Sequence, residues 1–195
     1  ECNQADPDYE APAEVTVSRL AGNDRIGTAL SVAAALKDTL KVEKFDAIIL
    51  AAGGSGQDQT KFADALSGSY LASAKNAPIL LYTKGDLAQA NLEFIAENLS
   101  EDGTIYLLGG NVSIPAEVEA ALVEAGYTVK RLAGDDRYLT NLAILKEVGV
   151  EGVDEVLIAG GQGFADSLSA SATGLPIMLV KGSKTTLTEA QIEFL

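Results

Sequence analysis

The segment Arg19-Leu-Ala-Gly-Asn-Asp-Arg25-Ile-Gly-Thr28 returns 112 residues later as Arg131-Leu-Ala-Gly-Asp-Asp-Arg137-Tyr-Leu-Thr140. Four further blocks repeat in the same order. Ala51-Ala-Gly-Gly54 returns as Ile158-Ala-Gly-Gly161, Phe62-Ala-Asp64-Ala-Leu-Ser67 as Phe164-Ala-Asp166-Ser-Leu-Ser169, Pro78-Ile-Leu-Leu as Pro176-Ile-Met-Leu, and Glu93-Phe94-Ile95 as Glu193-Phe194-Leu195. Chance does not produce ordered blocks of this kind, so the sequence predicts an internal duplication of one structural unit.

Short apolar runs alternate with helical patterns along both copies. We expect strands at residues 15–20, 47–52, 78–83, 104–108, 128–132, 155–159 and 176–180, and helices at 28–40, 62–74, 87–99, 115–125, 140–148, 164–173 and 187–195. Residues 47–52 are apolar throughout, which is typical of a parallel strand covered by helices on both faces. The pattern predicts an α/β fold of tandem Rossmann-like or flavodoxin-like units, with mainly parallel sheets in three α/β/α layers.

The repeat also predicts the domain organisation. Residues 1–14 are polar and acidic and are expected to form a linker, 15–126 the first repeat, and 127–195 a second, incomplete repeat. The first copy continues past its Glu93-Phe94-Ile95 block to a strand and Gly109-Gly110, for which the second copy has no counterpart. We therefore expect a fragment of a longer tandem array.

Composition excludes several classes of function. Asp and Glu number 28 against 14 Lys and Arg, and the net charge of -14 repels nucleic acid. The chain has no histidine, which excludes Ser-His-Asp and Cys-His catalysis and histidine-ligated metals. Cys2 is the single cysteine, so no internal disulfide forms. No apolar run approaches the roughly 20 residues that span a bilayer.

The repeated arginine motif has two interpretations. Gly22 and Gly134 allow a tight turn, and Asp24 and Asp136 are placed to cap the helix that follows. In the structural interpretation the motif arginines pair inside the fold with Asp64 and Asp166, which we expect to be buried. In the functional one they form a repeated anion site, and the arginines concerned are Arg19, Arg25, Arg131 and Arg137.

Pairs of glycines end the apolar strands. They are Gly53-Gly54, Gly109-Gly110 and Gly160-Gly161. Ligands of parallel sheets bind at the carboxyl ends of strands, so the loops 53–61, 109–113 and 160–163 are candidate binding loops, with Arg25 and Arg137 close by. The dinucleotide fingerprint, the phosphate-binding loop and the nucleophile elbow are all incomplete here. We therefore predict tight turns, with no cofactor and no metal.

These blocks together resemble the cell wall binding repeat 2 family, a module of Gram-positive surface proteins that include clostridial S-layer-associated proteins. The resemblance extends over residues 15–195. Ile26 stands where the family has a tyrosine, which Tyr138 keeps, and Asn141 stands where the family has an alanine. The resemblance implies three tandem copies in a compact, trimer-like arrangement that holds a secreted protein on the cell wall through an anionic polymer.

The expected function is therefore non-catalytic attachment at the bacterial surface. The expected partner is an anionic wall polymer or a peptidoglycan-associated glycan, bound near Arg25, Arg137 and the Gly-Gly turns. Two alternatives stay open. One is an α/β enzyme with a phosphate- or carboxylate-based site at the Gly-Gly turns, and the other is a protein-assembly module.

Overall fold

Helices and strands alternate along the chain, as predicted. The computed structural model describes residues 16–54, 62–85, 87–163, 165–182 and 187–195. The first copy contains α1 (Arg25–Leu40), β1 (Phe45–Ala52), α2 (Phe62–Lys75), β2 (Ile79–Tyr82), α3 (Gln89–Asn98), β3 (Leu99–Leu108) and α4 (Ala116–Glu124). The second contains β4 (Thr128–Leu132), α5 (Arg137–Val148), β5 (Leu157–Gly160), α6 (Ala165–Ser171), β6 (Ile177–Val180) and α7 (Glu189–Phe194).

The strands form two parallel sheets, and the division between the sheets does not coincide with the boundary between the two copies. The larger has the order β2-β1-β3-β4, and β5 and β6 form the smaller. β4, which opens the second copy, pairs with β3 so that Thr128 lies opposite Thr104 and Leu132 opposite Leu108. The second copy thus completes the sheet of the first.

The predicted three layers are present around the larger sheet. Alternate side chains of a strand point to opposite faces. One face holds Ile48, Leu50, Ile105 and Leu107, which pack with side chains of α1, α3 and α4. The other face holds Ile49, Ala51 and Leu108, which pack with Leu71 of α2 and Ile144 of α5. Each fully buried aliphatic side chain contributes about 1.5–3 kcal/mol, so this double-faced sheet is the main source of stability.

The strand predicted at residues 15–20 is wrong for the part that the structure describes. Residues 16–20 have no regular secondary structure, and Val17 is 90% exposed. The sequence Thr-Val-Lys-Arg-Leu of β4 differs from residues 16–20 at one position, yet β4 is a strand. The difference lies in the partner: β4 has the edge of β3 beside it, and a strand needs such an edge for its backbone hydrogen bonds.

Strand register corrects the alignment of the two copies by one residue. The sequence blocks place Gly53 opposite Gly160, but Ile49 pairs with Ile79 as Leu157 pairs with Ile177. This pairing makes Gly53 equivalent to Gly161. The backbone agrees, because the N–H of Gly53 donates to the last residue of β2 and that of Gly161 to the last residue of β6.

Asn141 occupies the outer edge of β6. Its side chain is fully buried; its Nδ2 donates to the carbonyl of Ile177 at 2.8 Å, and its Oδ1 accepts the N–H of Leu179 at 2.9 Å. A neighbouring parallel strand would make the same two bonds. Gln191 of α7 donates to the carbonyl of Leu179, as Asn91 of α3 donates to that of Leu81 in β2. Amide side chains therefore bind the outward backbone groups of Ile177 and Leu179 in β6 and the outward carbonyl of Leu81 in β2.

We expect Asn141→Ala to lower the free energy of unfolding by at least about 2 kcal/mol, because it leaves a buried N–H and a buried carbonyl without partners. Denaturant titration measures this. Asn111→Ala, in an exposed loop, is the control and should change stability by no more than about 0.5 kcal/mol. Equal stability of the two variants would contradict the structural role of Asn141.

A polar group of three side chains joins the copies on one side of the sheet. The Tyr106 hydroxyl of β3 donates to Glu147 of α5 at 3.1 Å, and Lys130 of β4 pairs with the same carboxylate at 2.6 Å. Burial, and then the bond to Glu147, raises the pKa of Tyr106. The hydrogen bond to Glu147 raises the pKa of Lys130.

Both shifts predict a loss of stability in alkali. A folded-state pKa above the unfolded value of about 10 contributes stability that is complete below pH 10 and disappears as the pH rises through the folded-state pKa. Melting temperatures measured between pH 8 and pH 11 should fall more steeply for the wild type than for Tyr106→Phe, which has no phenol to ionise. Parallel curves would contradict a contribution from this group.

Candidate functional site

The repeated motif forms the same turn in both copies. The N–H of Gly22 donates to the Thr28 hydroxyl at 3.1 Å, and that of Gly134 to the Thr140 hydroxyl at 3.0 Å. A Cβ atom on Gly22 would lie 2.2 Å from backbone carbon, and one on Gly134 would lie 2.3 Å from the Cβ of Leu139. No side chain fits at those distances, which explains why both copies have glycine here.

The two motif aspartates cap helices, as predicted. Asp24 Oδ1 accepts the N–H of Gly27 at 2.7 Å at the start of α1. Asp136 Oδ1 accepts the N–H groups of Tyr138 and Leu139 at the start of α5. These bonds satisfy donors that the first turn of a helix leaves unpaired. With these caps, α1 and α5 begin three residues before Thr28 and Thr140, where the apolar pattern predicts the helix starts.

The motif arginines donate to backbone carbonyl groups. Arg25 Nη1 binds the carbonyl oxygen of Gly53, and Arg137 Nη1 binds that of Gly161 at 2.8 Å. Arg25 thus holds the turn that follows β1, and Arg137 holds the turn that follows β5. The Gly-Gly turns are therefore fixed by the motif.

Arg131 joins the two copies. From β4 its Nη1 donates to the carbonyls of Gly109 and Ile114, at 2.8 and 2.9 Å, and its Nε pairs with Glu119 of α4 at 2.7 Å. All three partners belong to the first copy. The guanidinium therefore fixes the loop after β3 and the helix that follows it. Arg19, at the equivalent position of the first copy, is exposed.

Asp64 and Asp166 have different surroundings. Asp64, in the first turn of α2, is 9% exposed and accepts the Ser113 hydroxyl at 2.9 Å. It lies so close to Gly109 that a Cβ there would be 2.4 Å from its Oδ2, and Gly109 has φ +98°. Asp166 in α6 is exposed. The prediction of burial is confirmed for Asp64 and wrong for Asp166. The 109–113 loop covers Asp64, whereas no described loop covers Asp166.

A cleft of about 310 Å³ opens between the two copies at the carboxyl ends of β3 and β4. It has three walls: the loop after β3, the motif turn of the second copy, and the first turn of α2. The described lining residues are Ala63, Asp64, Gly110, Asn111, Val112, Ser113, Gly134, Asp135, Asp136, Arg137 and Thr140. Ligands bind parallel sheets at this end, so this cleft is the candidate site.

The cleft contains only part of the predicted set. It brings together Asp64, Gly110, Asp136 and Arg137. The described lining does not include Gly53, Gly54, Gly109, Gly160, Gly161, Arg19, Arg25, Asp24, Arg131 or Asp166. The predicted loop 109–113 contributes most of one wall, whereas residues 55–61 of the predicted loop 53–61 lie outside the described residues. The sequence did not predict Ala63 and Thr140 as lining residues of the cleft, because these two residues come close to each other only when β4 pairs with β3.

The cleft is rich in hydrogen-bond acceptors. Its lining has three carboxylates, of Asp64, Asp135 and Asp136, and the guanidinium of Arg137. Asp64 and Asp136 already accept internal hydrogen bonds. The first turn of α5 adds partial positive charge at the same place. Among the described residues no group of three acidic or cysteine side chains is close enough to hold a metal ion.

We expect Asp64→Ala to destabilise the protein by about 1–3 kcal/mol, because it leaves the Ser113 hydroxyl without its acceptor in a half-buried position. Asp166→Ala is the matched control, at the equivalent but exposed position, and should change stability by no more than about 0.5 kcal/mol. Thermal unfolding of both variants tests the difference. Two unchanged melting curves would show that Asp64 holds nothing in place.

Two proteins of Bacillus subtilis (strain 168) are similar to this chain in sequence. The chain is 29% identical over 184 residues to the N-acetylmuramoyl-L-alanine amidase LytC of Bacillus subtilis (strain 168), covering 92% of this chain and 34% of that protein. It is 35% identical over 127 residues to the amidase enhancer of the same organism, covering 63% of this chain and 17% of that protein. The chain thus spans about a third or less of these relatives.

Two solved structures are also similar to this chain. Cwp8 from Clostridium difficile matches with a TM-score of 0.77 and 31% identity, over 93% of this chain and 30% of that one. Cwp6 from the same organism matches with a TM-score of 0.65 and 26% identity, over 89% and 28%. Within the part of the chain that the structure describes, no helix has the length and apolar character to cross a membrane.

The model of the family named cell wall binding domain 2 (CWB2) matches residues 19–119 and 131–193, so each match begins at the first arginine of the repeated motif. Together the two segments include most of the chain. The protein belongs to the cell wall binding domain 2 family and is a cell-wall-binding module.

Proposed function

We propose that this module holds a secreted protein on the outside of a Gram-positive cell by binding an anionic wall polymer, or a glycan attached to peptidoglycan, in the cleft between its two copies. The observation that carries the proposal is that both copies build the cleft at the sheet end where ligands bind: the first copy contributes the loop after β3 and the first turn of α2, and the second contributes its motif turn. Binding without catalysis is part of the proposal.

The chemistry of the lining supports a polyhydroxylated ligand. Carboxylate oxygens accept hydrogen bonds, and sugar hydroxyls donate them. Asp135 is exposed at the rim, and the exposed Asn111 amide offers both donors and an acceptor. Val112, 87% exposed, offers an apolar surface for a sugar ring. A neutral sugar unit therefore fits the acidic part of the cleft.

We assign the acidic groups of the polymer to the part of the cleft that contains Arg137. Its Nη1 is bound to Gly161, and a guanidinium has five N–H donors in total. The first turn of α5, which Arg137 itself begins, adds about 0.3–1 kcal/mol for a nearby anion. This local positive end would receive an anion despite the net charge of -14. That charge repels anions at long range, so binding should be weak for one module. Added salt should weaken it further, because salt screens the attraction between the anion and Arg137.

Two carboxylates of the cleft support the absence of catalysis. Asp64 accepts the Ser113 hydroxyl, and Asp136 accepts two backbone N–H groups. Both carboxylates thus hold parts of the fold in place, which favours binding over catalysis. The chain also has no histidine to serve as a base near neutral pH.

Further copies of the repeat would strengthen attachment. Several weak sites on one chain raise the effective concentration of each for a repeating polymer, and avidity can exceed single-site affinity by about 10²–10⁴. We propose that wall attachment uses such an array, of which these two copies form part.

Cosedimentation with purified cell walls tests the site. Arg137→Ala should reduce the bound fraction several-fold at low salt, and the wild type should lose binding as salt increases. Arg25→Ala is the matched control, because Arg25 makes the equivalent carbonyl bond in the first copy but is absent from the described lining of the cleft.

The expected order of binding is therefore wild type equal to Arg25→Ala, and both above Arg137→Ala. The Arg25→Ala plus Arg137→Ala variant should bind like Arg137→Ala alone. Undiminished binding by a folded double variant would assign both arginines to structure alone and would contradict the site.

A further inference from the structure

A groove opens beside the cleft, at the carboxyl end of β6. It has a volume of about 350 Å³, and we call this space between Tyr138, Val180, Lys181 and Gln191 the α5–α7 groove. Asp136 lines both the cleft and the groove. The residues of α5 that line the cleft lie on a different face of that helix from those that line the groove, so the two spaces flank the start of α5.

The inner wall of the groove is apolar. Leu142 is 5% exposed and Val180 is half-buried, and both line it. The ring of Tyr138 adds an aromatic surface, and it lies so close to the turn after β5 that a Cβ atom on Gly161 would be 2.5 Å from its Cε1. Arg137 holds the carbonyl of the same glycine. The aromatic surface is therefore packed against a turn that is itself fixed.

Three polar groups surround this apolar wall. Both backbone bonds to Asp136 end at its Oδ1. Neither the Tyr138 hydroxyl nor the Lys181 ammonium group has a hydrogen-bond or ion-pair partner within the described ranges of the chain. An apolar wall with a few polar groups converging on it is the usual composition of a pocket for a small ligand.

The first copy differs at the positions that make the groove. Its residues at the places of Tyr138, Val180 and Lys181 are Ile26, Tyr82 and Thr83. Tyr82 is 5% exposed, and its hydroxyl donates to the carbonyl of Gly85 at 2.7 Å. A buried ring therefore occupies the place where the smaller Val180 leaves space. The repeat folds without the exposed cation and the second-copy tyrosine, so these residues are free to serve binding.

We propose that the α5–α7 groove binds a second sugar unit of the wall polymer, an N-acetylated sugar that carries an anionic group. The acetamido methyl group and one face of the sugar ring pack on Tyr138, Leu142 and Val180. The acetamido N–H donates to Asp136, and the anionic group pairs with Lys181. A face made of hydroxyls would lose its water against this wall without gaining hydrogen bonds, so the wall selects an apolar substituent.

This inference rests on the proposed function and deepens it by adding a subsite and a sugar class. The cleft and the groove share Asp136, so one polymer strand passes over the start of α5 with one acidic group near Arg137 and another near Lys181. The two cations then bind successive acidic groups of the same strand.

Amide chemical shifts of the ¹⁵N-labelled 195-residue chain test the sugar class. N-acetylglucosamine 1-phosphate at tens of millimolar should shift the amide signals of residues 138–142 and 180–182. Glucose 1-phosphate is the matched control without the acetamido group and should shift them several-fold less, and inorganic phosphate should affect only the signals next to Lys181. Unshifted groove amides with N-acetylglucosamine 1-phosphate, or equal shifts with the two sugar phosphates, would overturn the proposal.

Three variants introduce residues that the first copy has at the equivalent positions. Val180→Tyr fills the groove, Tyr138→Ile removes the aromatic surface, and Lys181→Thr removes the cation. Each should reduce the shifts caused by N-acetylglucosamine 1-phosphate several-fold. Lys146→Thr, which removes an exposed lysine at the other end of α5, is the control and should leave them unchanged. Lys181 is exposed, so Lys181→Thr keeps the fold, and undiminished shifts in that variant would overturn the proposal.

Cosedimentation with purified cell walls separates this inference from the proposed function. Lys181→Thr should lower the bound fraction several-fold, and Lys181→Thr plus Arg137→Ala should lower it further than either change alone. Reduced binding by Arg137→Ala together with full binding by Lys181→Thr would contradict the groove alone. Reduced binding by Lys181→Thr together with full binding by Arg137→Ala would contradict the cleft alone.

Discussion

The pairing of β4 with β3 is the interaction on which the rest of the structure depends. It places the first strand of one copy in the sheet of the copy before it, and it carries α5 onto the face of that sheet that α2 covers. Arg131 then fixes the loop after β3, and this loop forms one wall of the cleft while the turn after β4 forms another. The copies are therefore not independent domains joined by a linker, and the candidate site exists only because a strand crosses between them.

Much of the fold could be predicted from the sequence, because the residues that determine each helix and strand lie close together along the chain. The apolar run of β1 indicates a strand covered on both faces, and the two aspartate caps mark helix starts whose bonds involve residues two or three positions away. Strand pairing was not predictable in the same way. Residues 16–20 and β4 are nearly identical in sequence and differ in structure, since a strand depends on a neighbour that the strand's own sequence does not specify.

The candidate site was predictable in its parts and not in its arrangement. The motif arginines, the glycines and Asp64 were identified by repetition, but repetition treats equivalent residues alike. The structure separates Asp64, covered by a loop, from the exposed Asp166, and Arg131, with three partners, from the exposed Arg19. A one-residue difference in strand register likewise decided which glycine Arg137 holds. Such distinctions arise from tertiary contacts between copies.

Side-chain amides bind outward backbone groups at one edge of each sheet. Asn141 and Gln191 occupy outward backbone groups of β6, and Asn91 occupies one of β2, so an incoming strand meets hydrogen-bonding groups that are already used. Side-chain amides at these edges thus protect the chain from the edge-to-edge aggregation to which exposed strands are prone.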